Sequence, residues 1–385
     1  MDDFLLLDQQ LSDQERLTRD TVRAFVERSV LPRIGEAYEK GEYPHAFTET
    51  MAEMGLFGLT LPEAYGGSAA NYVTYGLVCQ ELERGDSGLR SAMSVQSSLV
   101  MYPIYALGSE AQKKRYLLKL AKAEWIGCYG LTEPDSGSDP SHMKTHAKKV
   151  DGGYVINGSK MWITNAGVAD IAIVWVMTEE GVRGFIVEKN TKGFTQRVIH
   201  HKASLRASVT GELIFTDCFV PEEQLLPGST QGLGAALACL TQARYGIAWG
   251  AMGAGMACYE SALDYAKQRK SFDRPIASFQ LVQKDLVDML TEIVKAQAFN
   301  VQLGRLFDEQ TPHYSLISMA KMNACREALT IARKARNILG ANGISLEYPV
   351  IRHMNNLESV YTYEGTDNIH HLIIGRTITG ISAFG

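Results

Sequence analysis

Six cysteines, Cys79, Cys128, Cys218, Cys239, Cys258 and Cys325, are spread along 385 residues, and no two form a Cys-x-x-Cys pair. A disulfide scaffold or a zinc knuckle clusters its cysteines, so these read as buried free thiols in a reducing compartment. Basic residues are not in excess either: 38 Lys and Arg face 43 Asp and Glu, a net charge of −5. A nucleic-acid binder shows a basic excess or stripe, so no nucleic-acid partner is expected. A charged ligand must instead be met by local basic residues. No uncharged apolar run reaches the ~18–20 residues that span a bilayer, so no membrane insertion is expected. The longest candidate, around Ile171–Met177, is strand-sized. The opening Met1-Asp2-Asp3-Phe4 is acidic, unlike the basic lead of a signal peptide or an Arg-rich presequence. The expected setting is intracellular: cytoplasmic in a bacterium, or the mitochondrial matrix if the chain is eukaryotic and processed.

Common cofactor and catalytic signatures are missing too. Gly250-Ala251-Met252-Gly253-Ala254-Gly255 has the wrong spacing for a dinucleotide fingerprint and lies in a helical pattern, where small residues favour close helix packing. There is no Gly-Lys-Ser/Thr phosphate loop, no His-Glu-x-x-His and no Gly-x-Ser-x-Gly. His370 and His371 are adjacent, point to different sides of a helix and make a poor metal pair, so no metal site is expected. What remains is an ordinary globular composition, 45% hydrophobic, 21% charged and 9% aromatic. Its length suits two or three domains.

Periodicity divides the chain in three. From about Leu11 to Leu120 it is helical. Ser12-Asp13-Gln14-Glu15 reads as a capping box, with Leu17, Val22, Phe25 and Val26 following at helical spacing. A Gly/Pro-punctuated stretch from Gly55 to Gly67 breaks the pattern, and helix resumes over Tyr72–Leu82, Ser91–Leu107 and Glu110–Ala121. In the middle, Tyr154–Gly158 reads as a strand entering a turn. Asp170–Met177, Arg183–Glu188 and Gly211–Val220 are further strands, which indicates antiparallel β structure. No βαβ alternation occurs, which excludes a doubly wound parallel sheet. From Leu233 onward, Gly250–Arg269, Phe279–Asp308 and Ser315–Leu339 carry the long amphipathic periods of a helical bundle. The division is an N-terminal helical domain over 1–127, a β domain over 128–232 and a helical bundle over 233–385.

Three segments invite chemistry. Cys128 to Asp139, rich in Gly and hydroxyls, is either a loop whose backbone donors wrap a polar cofactor or a turn-rich domain crossing. Lys160-Met161-Trp162-Ile163-Thr164-Asn165 offers either an exposed Trp for a flat aromatic ligand or a hairpin with a core Trp. In Val360 to Thr366, Glu364 stands alone among aromatics, followed by Gly365 and a further helix. Desolvation there raises a carboxyl pKa from its reference ~4.3 and makes a usable base, although a surface Glu is the commoner case.

Together, in this order, these segments resemble the acyl-CoA dehydrogenase family over essentially the whole chain. The likeness rests on Gly127–Asp139, Ala266–Gln280 and Arg336–Gly375, the last with the Tyr-Glu-Gly-Thr core at 363–366. The runs Leu89–Ser97, Ala243–Gly250 and Asn356–Glu358 through Ile378–Gly380 are similar to the decarboxylating glutaryl-CoA dehydrogenase branch. The resemblance implies an α+β fold: an N-terminal all-α domain, a central antiparallel β-barrel-like domain and a C-terminal four-helix bundle, in a homotetramer. It implies FAD as cofactor, glutaryl-CoA as substrate and an electron-transfer flavoprotein as acceptor.

By the same resemblance Glu364 is the base, and Glu83, Arg90, Ser91, Ser138, Arg244, Tyr363, Gly365 and Phe384 form the acyl-CoA site. Tyr129, Leu131, Thr132, Ser138, Trp162, Ile163, Thr164 and Thr366 would contact FAD. Arg269, Gln280 and the run Asn337, Ile338, Leu339, Gly340 and Ala341 would hold the FAD of a neighbouring subunit. Arg90, expected in the first turn of a helix after Ser87-Gly88, would face the distal carboxylate of glutaryl-CoA. The alternatives are a non-decarboxylating glutaryl-CoA dehydrogenase, a short-chain enzyme with a neutral substrate, and a non-catalytic acyl-CoA-binding flavoprotein.

Overall fold

The structure, a computed structural model, describes residues 3–310 and 312–384. Met1 and Asp2, part of the acidic opening read above, lie outside the described residues. The chain begins with helices α1 (Leu7–Gln10), α2 (Asp13–Phe25), α3 (Leu31–Lys40) and α4 (Ala46–Glu53). After a looped stretch come α5 (Tyr72–Gly85), α6 (Ser87–Ser94), α7 (Tyr102–Leu107) and α8 (Glu110–Ala121). The expected capping box starts α2: Ser12 Oγ accepts from Glu15 N–H, and the Ser12 N–H donates to the Glu15 carboxylate at 2.7 Å. Val22, Phe25 and Val26 turn into the core, but Leu17 faces out, 63% exposed. Wide π-helical turns at Val26–Val30 and Val95–Met101 join α2 to α3 and α6 to α7. The helix expected from Ser91 therefore starts four residues earlier, at Ser87, because the Asp86 carboxylate caps it by accepting the Gly88 N–H at 2.7 Å.

Seven strands follow: β1 (Gly127–Gly130), β2 (His146–Val150), β3 (Gly153–Thr164), β4 (Ile171–Thr178), β5 (Gly181–Glu188), β6 (Phe194–Val198) and β7 (Thr210–Pro221). The pairs β2–β3, β3–β7, β4–β5 and β6–β7 are antiparallel, while β1 lies parallel to β4 and β2 meets β4 at one parallel bridge. Having three neighbours, β4 is the strand about which the sheet curls. Both its faces are buried: Ile171, Ile173 and Trp175 join the helical core, and Ala172, Val174 and Val176 the interior of the sheet. The turn expected at Asn157-Gly158 is instead a bulge within β3. The register slips there, Gly158 has φ +137°, and a Cβ on it would stand 2.6 Å from Thr145.

Helices α9 (Leu233–Gln268), α10 (Gln280–Glu309), α11 (Tyr314–Ile338), α12 (Pro349–Thr362) and α13 (Asp367–Thr379) complete the chain. The glycines of α9 do what their pattern suggests. A Cβ on Gly253 would lie 2.0 Å from the Gln80 carbonyl oxygen, and one on Gly250 2.1 Å from Glu83 Oε2. Small residues thus let α9 and α5 touch nearly backbone to backbone, so the side chains between them are shut away from water. All six cysteines are buried and unpaired.

Candidate active site

The turn between α12 and α13 is held unusually. Tyr363 leaves α12 extended, Glu364 takes φ +53° and Gly365 φ +104°, and Thr366 caps α13 by accepting the Ile369 N–H. A left-handed glutamate is strained and persists only where its surroundings over-determine it. Here they do. Arg244 Nε, from α9, donates to the Glu364 carbonyl at 2.7 Å, and Lys321 Nζ, from α11, donates to the Gly365 carbonyl at 2.8 Å. A side chain at 365 would be strained, since φ there is +104° and a Cβ would crowd the His370 ring at 3.0 Å.

The carboxyl of Glu364 points inward, and its Oε2 is shut from solvent without a hydrogen-bond partner. Burial raises its pKa above the ordinary carboxylate value, with Arg90, Arg244 and Lys321 opposing. Beside it, Arg90 Nε donates to Glu83 Oε2 at 2.6 Å, and the other end of the guanidinium donates to the Tyr363 hydroxyl. Arg90 is 1% exposed, in the first turns of α6 as expected, and Ser91 is buried next to it. The second oxygen of Glu83 has no partner, and burial pushes this carboxyl up as well, with Arg90 opposing. The cluster therefore holds two buried carboxylate oxygens with nothing to bond. Phe384, 41% exposed, forms no hydrogen bond to this cluster; its N–H meets Ser382 Oγ.

The β-side residues form a separate surface. Tyr129, on β1, is buried and its hydroxyl donates to the Ala236 carbonyl at 2.9 Å. Beyond it Lys160 Nζ donates both to the Leu131 carbonyl at 3.0 Å and to Glu133 at 2.8 Å. Burial pushes Lys160 down to about 8, with Glu133 opposing. Because a trans peptide sets C=O and N–H on opposite sides, fixing the Leu131 carbonyl inward turns the Thr132 N–H outward. That N–H has no partner among the described backbone bonds, while the Thr132 carbonyl accepts from Met161 N–H.

Met161-Trp162 is a second bulge in β3. Trp162 takes φ +64° and is 57% exposed, so the exposed-indole reading holds over the core one. Ile163 is buried and Thr164 half-buried at the end of the strand, and Ser138 is exposed in its loop. A flat aromatic edge beside an outward amide fits an isoalloxazine ring. Arg269 ends α9 and Gln280 begins α10; both are exposed, as are Asn337, Gly340 and Ala341, whereas Ile338 and Leu339 are buried.

Sequence reasoning gave no role to Lys321, His370, Lys160 or Glu133. Lys321 had a signal: it interrupts the apolar stripe Ile317, Ala324, Ala328 of α11, where a cation is out of place. His370 is buried against Gly365, and its pKa is pushed down to about 2 by burial and by the Lys321 and Arg244 cations, so it is neutral. Among the described residues no group of three His, Cys, Asp or Glu is arranged to hold a metal, and no helix is long and apolar enough to cross a membrane.

Residues 12–124, 128–218 and 230–379 match the N-terminal, middle and C-terminal domains of acyl-CoA dehydrogenase. The fold superposes on a glutaryl-CoA dehydrogenase from Mycobacterium smegmatis with TM-score 0.98 at 50% identity, covering 100% of this chain and 99% of that one. A glutaryl-CoA dehydrogenase of the same organism, solved in complex with FADH2, gives 0.97 at 45% identity over 98% and 97%. The short-chain-specific acyl-CoA dehydrogenase of Megasphaera elsdenii is 35% identical over 98% of this chain and 99% of its own. With all three domains matched in order and relatives spanning its full length, the chain belongs to the acyl-CoA dehydrogenase family.

Proposed function

We propose that this protein is an FAD-dependent dehydrogenase of glutaryl-CoA that also decarboxylates its product to crotonyl-CoA and CO2. The observation that carries this reading is Arg90, a guanidinium buried among Glu83, Tyr363 and Glu364. An enzyme for a neutral acyl chain has no use for a buried cation beside its base. Glu83 matches the charge at Nε and Tyr363 takes one terminal nitrogen, so the described bonds leave the other terminal nitrogen to meet a distal carboxylate through a charge-assisted bond.

The chemistry follows from the chain's own groups. Glu364 takes the α-proton of the thioester, and its strained turn presents the backbone N–H of 364 to the thioester carbonyl, where enolate charge builds. Bound FAD supplies the hydride acceptor for the β-carbon. The Thr132 amide and the Trp162 indole would hold the isoalloxazine, with Tyr129, Leu131, Ile163, Thr164 and Thr366 around it. Arg269, Gln280 and the 337–341 backbone would hold the FAD of a neighbouring subunit in a homotetramer. Arg90 pairs the distal carboxylate until the bond to it breaks and CO2 leaves. The electron pair stays on the γ-carbon, which takes back the proton held on Glu364. Electrons then leave for an electron-transfer flavoprotein.

Anaerobic mixing of the yellow holoenzyme with glutaryl-CoA tests this. Flavin bleaching with crotonyl-CoA and CO2 as products is expected. Glutaconyl-CoA as the end product would remove the decarboxylation step, and bleaching by butyryl-CoA alone would overturn the glutaryl reading.

A further inference from the structure

The base is carried on a turn of two left-handed residues, and such a turn needs something to hold it. Two cations do so, one on each of two consecutive carbonyls. Arg244 holds that of Glu364, and Lys321 holds that of Gly365 while reaching the Tyr361 carbonyl at 3.3 Å. Tyr361 lies in the last turn of α12, whose final carbonyls have no helical donor, so Lys321 also caps that helix. Lys321 is 1% exposed, and its ammonium lies 6.0 Å from the Tyr363 ring centroid. A surface clasp would not need such burial, which is costly for an ion without a counter-charge in contact. Among the described residues no carboxylate pairs with Lys321 in a salt bridge; its bonds go to carbonyls of the turn. Burial pushes its pKa down, with Cys325, Glu364 and Asp367 opposing.

We propose that Lys321 is the positioning residue for the base: it fixes the 363–366 turn at the Gly365 carbonyl and keeps a positive charge against the buried Glu364 carboxylate. This rests on the reading of Glu364 as the base. The groups that act on that carboxyl are Arg90 on α6, Arg244 on α9 and Lys321 on α11, with Tyr129 on β1 and Tyr363 in the turn also feeling its charge. Around those groups stand Glu83 on α5 beside Arg90, Cys325 on α11 and Asp367 on α13 beside Lys321, and His370 on α13 beside Lys321 and Arg244. Arg90 is matched by Glu83, and His370 is neutral. Arg244 and Lys321 are thus the cations left to favour the ionised base, and Lys321 is the one that the acyl-CoA reading leaves without a task.

The test uses holoenzyme carrying K321Q, K321M or K321R, with two readouts. The first is the infrared carboxyl band of Glu364, assigned by its loss in E364Q and titrated without substrate. The second is the pH profile of single-turnover flavin bleaching by glutaryl-CoA. Gln keeps a donor for the Gly365 carbonyl but no charge, and Arg keeps the charge. K321Q and K321M are expected to move both the band titration and the acid limb upward by about one pH unit, and to slow bleaching roughly tenfold at neutral pH. K321R should keep the wild-type titration. If K321M fails to fold, the Gln–Arg pair decides. Wild-type titration and rates within threefold in the Gln variant would overturn the proposal. A shifted band in a protein whose wild type no acyl-CoA bleaches would leave Lys321 its role over the carboxyl and refute Glu364 as the base.

Discussion

Two buried charge clusters flank the corner between α5 and α6, three residues apart in sequence, and they are built on opposite principles. In the first, Asp86 caps α6 with one oxygen and takes Arg352 and Asn356 with the other. Arg352 also donates to the Gly85 carbonyl, and the Asn356 carbonyl oxygen accepts the Leu205 N–H. Each of these side chains has partners, and together they lock α6, α12 and the loop before β7. In the second, Glu83, Arg90, Tyr363 and Glu364 leave Glu83 Oε1 and Glu364 Oε2 with no bond at all. An unsatisfied buried polar atom costs about 1–3 kcal/mol. The first cluster spends its charges on stability, and the second keeps capacity in reserve for a ligand.

The sharpest way to break that contrast is E364Q. A general base contributes about 10²–10⁴-fold to a proton transfer, and since Glu83, the other carboxylate of the cluster, is tied to Arg90, the loss in flavin bleaching should lie at or beyond the top of that range. Stability should go the other way. Burial raises the Glu364 pKa in the folded protein, so the folded state binds its proton more tightly than the unfolded chain. The stability this lends is present at low pH and lost as pH rises through the folded value. At neutral pH the carboxyl therefore works against folding, and the neutral amide should leave Tm unchanged or higher. A clear fall in Tm would place Glu364 with Asp86 among the structural charges.

Next in size is R90Q, expected to lower kcat/KM for glutaryl-CoA by on the order of a hundredfold while butyryl-CoA changes little, with normal flavin content. R90K should rescue only partly, having charge without the planar fork. Since R90Q strands the buried Glu83 carboxylate, its Tm should fall, and adding E83Q should restore much of it without restoring the substrate preference. Equal losses on both substrates would make Arg90 structural. D86A is the mirror experiment. Breaking that satisfied network should cost about 3–5 kcal/mol of stability. Turnover well below the lowered Tm should stay within a fewfold, with the ratio of the two substrates unchanged. A shift in that ratio would erase the distinction between the clusters.

Legibility in the sequence followed the same divide. Local signals were readable: the helix, sheet, helix order from periodicity, the capping box of α2, and the small-residue face of α9. The positions of Glu364, in a turn before a further helix, and of Arg90, in the first turns of α6, were readable because each sits in a distinctive local run. Partners supplied by distant segments were not. Nothing near Lys321 says that it will meet a carbonyl forty-four residues on, and nothing near Lys160 says that Glu133 awaits it across the sheet. Asn157-Gly158 misled because the dipeptide that makes a hairpin turn also makes a bulge, and only the long antiparallel partner β7 decides between them.

The smallest effect belongs to the β side, where the surface around Trp162 is open and not buried. Trp162 stands at a bulge with φ +64°, a backbone state that costs a bulky residue and suits glycine. Its indole is more than half exposed, so it contributes little to the core. W162G should then relieve backbone strain in the apoprotein while removing the aromatic face offered to the cofactor. Aromatic contacts of this kind are worth about 0.5–1.5 kcal/mol beyond area burial, which is roughly a 2- to 12-fold weakening of FAD binding. Apoprotein Tm by calorimetry and FAD affinity by fluorescence titration separate the two effects: Tm should hold or rise while affinity drops, and the glutaryl-to-butyryl ratio should stay at its wild-type value. A fall in apoprotein Tm with unchanged FAD affinity would mean that the indole is part of the fold, and the β side would then resemble the Asp86 cluster more than a ligand surface.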